Sequence, residues 1–121
     1  MEKDGVYEAV PSTSPENRFL LPDGATCCVS KNCAMDLELI QEVFRNYQKI
    51  CGILGLEEEL LAEIGDKLEH LAPLQVGSKG QLLEWAEEYT ESEPGHRHVS
   101  QVYGMYPSEL FANDQTMLDA C

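Results

Sequence analysis

The sequence predicts a mainly α fold, an antiparallel helix hairpin with long ordered loops and a short N-terminal strand. Three observations predict it. Leu37, Ile40, Phe44, Tyr47, Cys51 and Leu54 recur at steps of three and four, which places them on one helical face. Leu60, Leu61, Ile64, Leu68 and Leu71 repeat the pattern after a very short turn, and so short a connection makes the two helices antiparallel. Pro11, Pro15 and Pro22, with Ser12, Thr13, Ser14 and Asp23-Gly24, fill the first third with residues that fix φ or favour turns, so no long helix forms there.

Taken in order, the elements begin with a short strand at Gly5 to Val10, followed by an irregular, ordered loop. The first helix opens at Met35 with Asp36 as its N-cap and ends near Gly52 to Gly55. The second carries Glu57, Glu58 and Glu59 in its first turn, Lys67 and His70 near its negative end, and Pro73 as its stop. Gly77, Gly80 and Gly95 then frame Gln81 to Glu93, which reads as a short helical stretch holding the sole tryptophan. A further apolar segment runs through Tyr103, Tyr106 and Pro107, and another helix starts near Asn113. The hairpin covers one side of a core and leaves its other apolar surface wanting a partner. The chain stops inside that last helix without a C-cap or a polar tail, so both ends are expected to be cut from something longer.

Charge narrows the function classes. The chain has 121 residues, with 8 basic against 22 acidic side chains and a formal charge of −14. Without any Lys/Arg run, its field repels nucleic acid and anionic membrane surfaces, and neither is expected as a partner. The apolar runs fall far short of the roughly 18 residues a membrane span needs, and the acidic start lacks a signal-peptide core. Five cysteines, Cys27, Cys28, Cys33, Cys51 and Cys121, are an odd number without a C-x-x-C pair and read as buried free thiols. A zinc site from Cys27, Cys28, Cys33 and the His96/His98 pair is the weaker reading, because adjacent cysteines do not converge easily on one metal. No metal and no organic cofactor is expected.

Three places have side chains suited to chemistry. Glu84 stands beside Trp85, and a carboxyl in low-dielectric packing, with other carboxylates near, holds its proton toward neutral pH as a general acid must. The competing reading is a solvated acidic helix end with Trp85 filling the core. His96, Arg97 and His98 are either hydrogen-bonded loop anchors or donors to substrate hydroxyls, with the guanidinium holding a carboxylate. In the loop Pro11 to Asn17, two prolines either end the strand or aim Glu16 and Asn17 at a ligand at low entropy cost.

Five strings, in this order and spacing, carry a resemblance. They are PSTSPEN (Pro11 to Asn17), Met35-Asp36 opening a helix, the helix end Ile53 to Gly55, QVGSKGQLLEW (Gln75 to Trp85) and PGHRHVSQVYGMYP (Pro94 to Pro107). Together they resemble the catalytic domain of glycoside hydrolase family 95, and the resemblance covers nearly the whole chain. That family comprises inverting α-L-fucosidases, with some members acting on α-L-galactosides. The resemblance implies that residues 1–121 are an internal part of an (α/α)6 toroid, with the N-terminal and C-terminal parts of the barrel lying outside them. It implies that Glu84 is the general acid, that Glu16 and Asn17 line the sugar pocket with Trp85, and that His96, Arg97 and His98 lie near its rim. The family's base is an aspartate far downstream working with two asparagines far upstream, so the segment alone is expected to be inactive.

The implied partners are a fucosylated oligosaccharide or glycoconjugate and the rest of the parent chain. Glu88 stands where an aspartate is usual, Gln101 replaces a frequent histidine, and Ser108 to Phe111 differ from the usual glycine-containing sequence. The alternatives are a related glycosidase for another sugar such as α-L-galactose, or a small acidic helical module that binds a protein through the uncovered hairpin face.

Overall fold

A computed structural model describes residues 2–56 and 59–121. Two antiparallel strands open the chain, β1 (Glu2–Lys3) and β2 (Val6–Tyr7), joined by Asp4 and Gly5 with φ of 54° and 79°. Positive φ at both central residues is what a tight hairpin of this hand requires. The expected strand at Gly5 to Val10 is therefore realised only at Val6 and Tyr7. Beyond it the chain is tied down piecewise: the Tyr7 N–H donates to the His70 carbonyl at 2.8 Å and Ser12 exchanges backbone bonds with Ser30.

The strands β3 (Phe19–Leu20) and β4 (Thr26–Cys27) pair across the Pro22-Asp23-Gly24 turn. Then comes α1 (Ala34–Leu54), a helix of 21 residues. It begins one turn-fraction earlier than expected, with Cys33 rather than Asp36 at the cap position and no side-chain cap. Long-range partners replace the local one. The Ser12 hydroxyl accepts from the Cys33 N–H at 2.9 Å, and the Ala34 N–H donates to the Glu84 carbonyl at 3.1 Å. Asp36 lies in the first turn and accepts from Ser12 Oγ at 2.5 Å, close to the positive end of the helix. The helix closes on Gly55, left-handed at φ 65°, as the sequence expects.

On α1 the apolar stripe is buried at Leu37 and Cys51, half-buried at Ile40, Phe44 and Tyr47, and exposed at Leu54. The second helix, α2 (Glu59–Glu69), buries Ile64; of its expected acidic first turn, Glu57 and Glu58 lie outside the described residues. Gly65 faces the Gln48 side chain, while Leu68 and Leu71 share a groove with Gln41 and Arg45. The order of contacts runs backward along α1, so the pair is antiparallel.

Gln81 to Glu93 is not helical. Backbone groups of the stretch bond outside it: the Leu82 N–H donates to the Ala120 carbonyl at 2.7 Å, the Leu83 N–H to the Gln75 carbonyl at 2.8 Å, and the Glu84 carbonyl accepts from the Ala34 N–H. Its far end forms β5 (Thr90–Glu91), which joins the other edge of β3. A 3-10 turn at Ser100–Val102 and α3 (Gln115–Ala120) complete the chain, the latter capped by Asp114, which accepts from the Met117 N–H at 3.1 Å. With three helices and two small sheets among the described residues, the segment is a mixed α/β piece rather than a mainly α one.

Two apolar clusters flank the extended stretch Leu82 to Trp85. One is Phe19, Cys33 and Trp85, with Cys27 and Tyr89 against it; the other is Leu82, Phe111 and Ala120, with Leu74, Leu110, Met117 and Leu118. Gly104 belongs to the second region for a steric reason, since a Cβ there would lie 2.5 Å from the Phe111 ring.

Candidate functional site

The site is built where the extended stretch before β5 crosses the proline-bounded loop after β2. Between Pro11 and Pro15 the chain is extended, and side chains alternate faces: Ser12 and Ser14 are buried and Thr13 is exposed. Ser14 and Asn17 thereby meet Glu84, which is 9% exposed. Ser14 Oγ donates to Glu84 Oε1, and Asn17 Nδ2 donates to Glu84 Oε2 at 2.8 Å. Behind Ser14 stands Ser100, their hydroxyl oxygens 2.7 Å apart.

Burial raises the Glu84 pKa above its ordinary carboxylate value. The Ser14 and Asn17 donors pull it back, the Glu91 charge pushes it up further, and His96 pulls it down. The net direction is upward because burial outweighs neutral hydrogen-bond donors. The sequence expects this direction; the solvated reading of Glu84 does not fit a carboxyl so enclosed.

Trp85 lies in the core at 4% exposure. Its ring meets Phe19 edge-on at 5.3 Å and Tyr89 at 6.4 Å, while Phe19 and Tyr89 stack at 4.1 Å. Its indole nitrogen is buried without a hydrogen-bond partner. The competing half of the sequence reading, Trp85 as core filling, is thus where the structure puts it.

Glu16 and Arg97 form an ion pair at the surface, and His98 Nδ1 lies 3.2 Å from the Pro15 carbonyl and 3.9 Å from Glu16. His96 Nδ1 accepts from the His98 N–H at 3.2 Å, and the two rings stand edge to face at 5.2 Å. Glu16 itself has φ 55°, in the region that L side chains seldom adopt. The loop 11–17 and the loop 96–98 therefore form one rim beside Glu84. A cleft of about 210 Å³ runs past the carboxyl, lined also by Glu87, Glu91 and Gln101. Gln101 Oε1 is buried without a partner.

Sequence reasoning missed Ser14, which it read only as a turn former, and Ser100, to which it gave no role. The signal was present in the alternation of Ser12, Thr13 and Ser14 between two prolines, a pattern that sends both serines to one face. It also missed Glu38, fully buried on α1, whose Oε2 accepts from the Gly104 N–H at 3.1 Å while Oε1 has no partner. The cysteines are free thiols, but Cys28 and Cys121 are exposed rather than buried. Among the described residues no three His, Cys, Asp or Glu side chains converge as a metal site, and no helix is long and apolar enough to cross a membrane.

With this geometry in view, the comparisons with known proteins agree on one family. Residues 1–121 match the family described as "Glycosyl hydrolase family 95 catalytic domain". The chain is 37% identical over 115 residues to "Alpha-L-fucosidase 2" of Arabidopsis thaliana, covering 94% of this chain and 14% of that protein. It is 29% identical over 124 residues to "Probable alpha-fucosidase A" of Aspergillus niger, covering 98% of this chain and 15% of the relative. A relative with the same description in Aspergillus oryzae is 33% identical over 103 residues, covering 80% of this chain and 13% of its own length.

Proposed function

Because this chain belongs to the glycosyl hydrolase family 95 catalytic domain, we propose that it is one segment of an inverting α-L-fucosidase in which Glu84 is the general acid. The observation that carries the proposal is the enclosure of Glu84: a carboxyl with a raised pKa, anchored at one oxygen by Ser14 and at the other by Asn17. A carboxylic acid that keeps its proton near neutral pH can protonate the glycosidic oxygen as the bond to fucose breaks, so the leaving alcohol departs neutral.

An inverting reaction also needs a base that activates water on the opposite face of the sugar, with the two carboxyl groups roughly 6.5–9.5 Å apart. One carboxyl cannot protonate the leaving group and deprotonate the water in the same step. The chain spans only 14% of the Arabidopsis relative, and we assign the base, with the residues that orient its water, to the rest of the parent chain. In that parent, α1 and α2 form one helical pair of an (α/α)6 toroid. Asn17 acts through Glu84, since its amide is already committed to that carboxylate. Glu16, Arg97, His96 and His98 are the surface groups available to the sugar or its aglycone, and Trp85 supports the site from beneath.

The full-length enzyme should hydrolyse fucosylated oligosaccharides, and proton NMR of the first product formed should show the β-anomer of L-fucose. The isolated 121-residue segment should release none. Appearance of the α-anomer first would exclude inversion, and preference for an α-L-galactoside would reassign the sugar while leaving the acid in place.

A further inference from the structure

Glu84 must exist in two protonation states in every turnover, and its two oxygens are held by chemically different partners. Asn17 Oδ1 accepts from the Arg18 N–H at 2.8 Å, which fixes the orientation of the amide and leaves Nδ2 to face Glu84 Oε2. An amide nitrogen only donates, so Oε2 is an acceptor from Asn17 at all times. Oε1 faces the Ser14 hydroxyl, which both donates and accepts, and Ser14 is 3% exposed, so water does not stand in for it. Ser100 Oγ stands 2.7 Å behind Ser14 Oγ, and either oxygen of that pair can be the donor.

We infer that Ser14, backed by Ser100, is a positioning residue for the acid: it pins Oε1 in both protonation states and sets the pH at which the acid fails. Ser14 accepts from Ser100 and donates to Oε1. That bond is strongest to the ionised carboxylate and weaker to the protonated carboxyl, whose own proton is left to face the glycosidic oxygen. Without the hydroxyl a buried carboxylate oxygen loses its donor, and an unmatched buried polar group is costly. The inference rests on the reading of Glu84 as general acid and adds how that acid is held.

The other titratable groups around Glu84 are Glu87, Glu88, Tyr89 and Glu91 along its cleft, His96 in the loop that follows β5, and Cys33 just before α1, whose own neighbour Asp36 is bonded to Ser12. None of them is altered by a change at Ser14, so a pH effect of Ser14→Ala reads on Glu84. The Ser14 donor lowers the Glu84 pKa. Its loss raises that pKa, and the alkaline limb of kcat/KM against pH moves upward.

The test uses the full-length enzyme. Ser14→Ala should shift the alkaline limb up by about one pH unit and lower kcat on a natural glycan by roughly tenfold to a hundredfold with KM nearly unchanged. Ser14→Thr, which restores the hydroxyl, should return the limb to its original position, and Ser100→Ala should move it in the same direction as Ser14→Ala by a smaller amount. Glu84→Gln should abolish the limb. If Glu84→Gln abolishes the limb but Ser14→Ala leaves it in place, the inference about Ser14 is wrong and the acid assignment stands. If Glu84→Gln retains the limb, the acid assignment itself is wrong. If Ser14→Ala does not fold, Ser100→Ala still decides: a loss of kcat with the alkaline limb unmoved overturns the inference.

Discussion

At the scale of the residue, a carboxyl held by an amide and a hydroxyl differs from one held by a cation. A paired arginine lowers a carboxyl pKa by about 1–3 units, which would leave it ionised and useless as an acid at neutral pH. The neutral donors Ser14 and Asn17 fix Glu84 while leaving burial dominant, and its pKa stays raised. The one guanidinium at the rim, Arg97, is spent on Glu16 instead. That pair is 69% and 62% exposed on its two sides, so its contribution to stability is small, under about 1 kcal/mol. Arg97→Gln should therefore leave the unfolding midpoint of the full-length enzyme almost unchanged while raising KM for fucosides severalfold at constant kcat. A KM within twofold of the parent would remove Arg97 from the sugar-binding surface.

At the scale of the element, the two helices and the last short one were legible because their determinants are local: apolar spacing, Gly55 at a C-terminus, Pro73 as a stop. The stretch Gln81 to Glu93 was not, because its conformation is set by partners far away in sequence, namely Ala34, Gln75, Ala120 and β3. The start of α1 moved for the same reason, when Ser12 and Glu84 replaced the cap expected of Asp36. Of the candidate site, Glu84 and the rim loops were readable from residue type and spacing, whereas Ser14 on the Glu84 carboxyl, with Ser100 behind it, needs the crossing of distant segments to become visible.

Glu38 also escaped a reading by pattern, since a charged residue on an apolar stripe looks like its edge. Burial pushes its pKa from 4.5 up to about 7. Below about 4.5 the group is neutral whether the chain is folded or not. As pH rises toward 7 the unfolded chain ionises first, so stability is lost through this window, and the loss levels off once the folded form ionises too. Glu38→Gln cannot ionise. It should unfold at a higher denaturant concentration than the parent at pH 8, with no such advantage at pH 4; an equal difference at both pH values would contradict a buried, titrating Glu38.

At the scale of the whole molecule, the segment has apolar side chains that its own residues do not cover. Val43, Ile50, Ile53 and Leu54 of α1 are 54% to 74% exposed, and the chain spans 14% of the length of its Arabidopsis relative. A helix hairpin that leaves this much apolar surface bare offers a face for further chain to pack against. The partners of Glu84 nevertheless come from three stretches of these residues, which meet around one carboxyl. On the function proposed above, proton donation to the leaving group is the part of the reaction that this segment governs, and water activation is not.

The most direct measurement is the dependence of rate on leaving group in the full-length enzyme with Glu84→Gln. Hydrolysis of a natural fucosylated glycan, whose alkoxide needs a proton to depart, should fall by about 10²–10⁴-fold or more. An aryl fucoside with an acidic phenol should lose far less. Equal losses on the two substrates would show that the carboxyl does not donate the proton, and Glu84 would not be the acid.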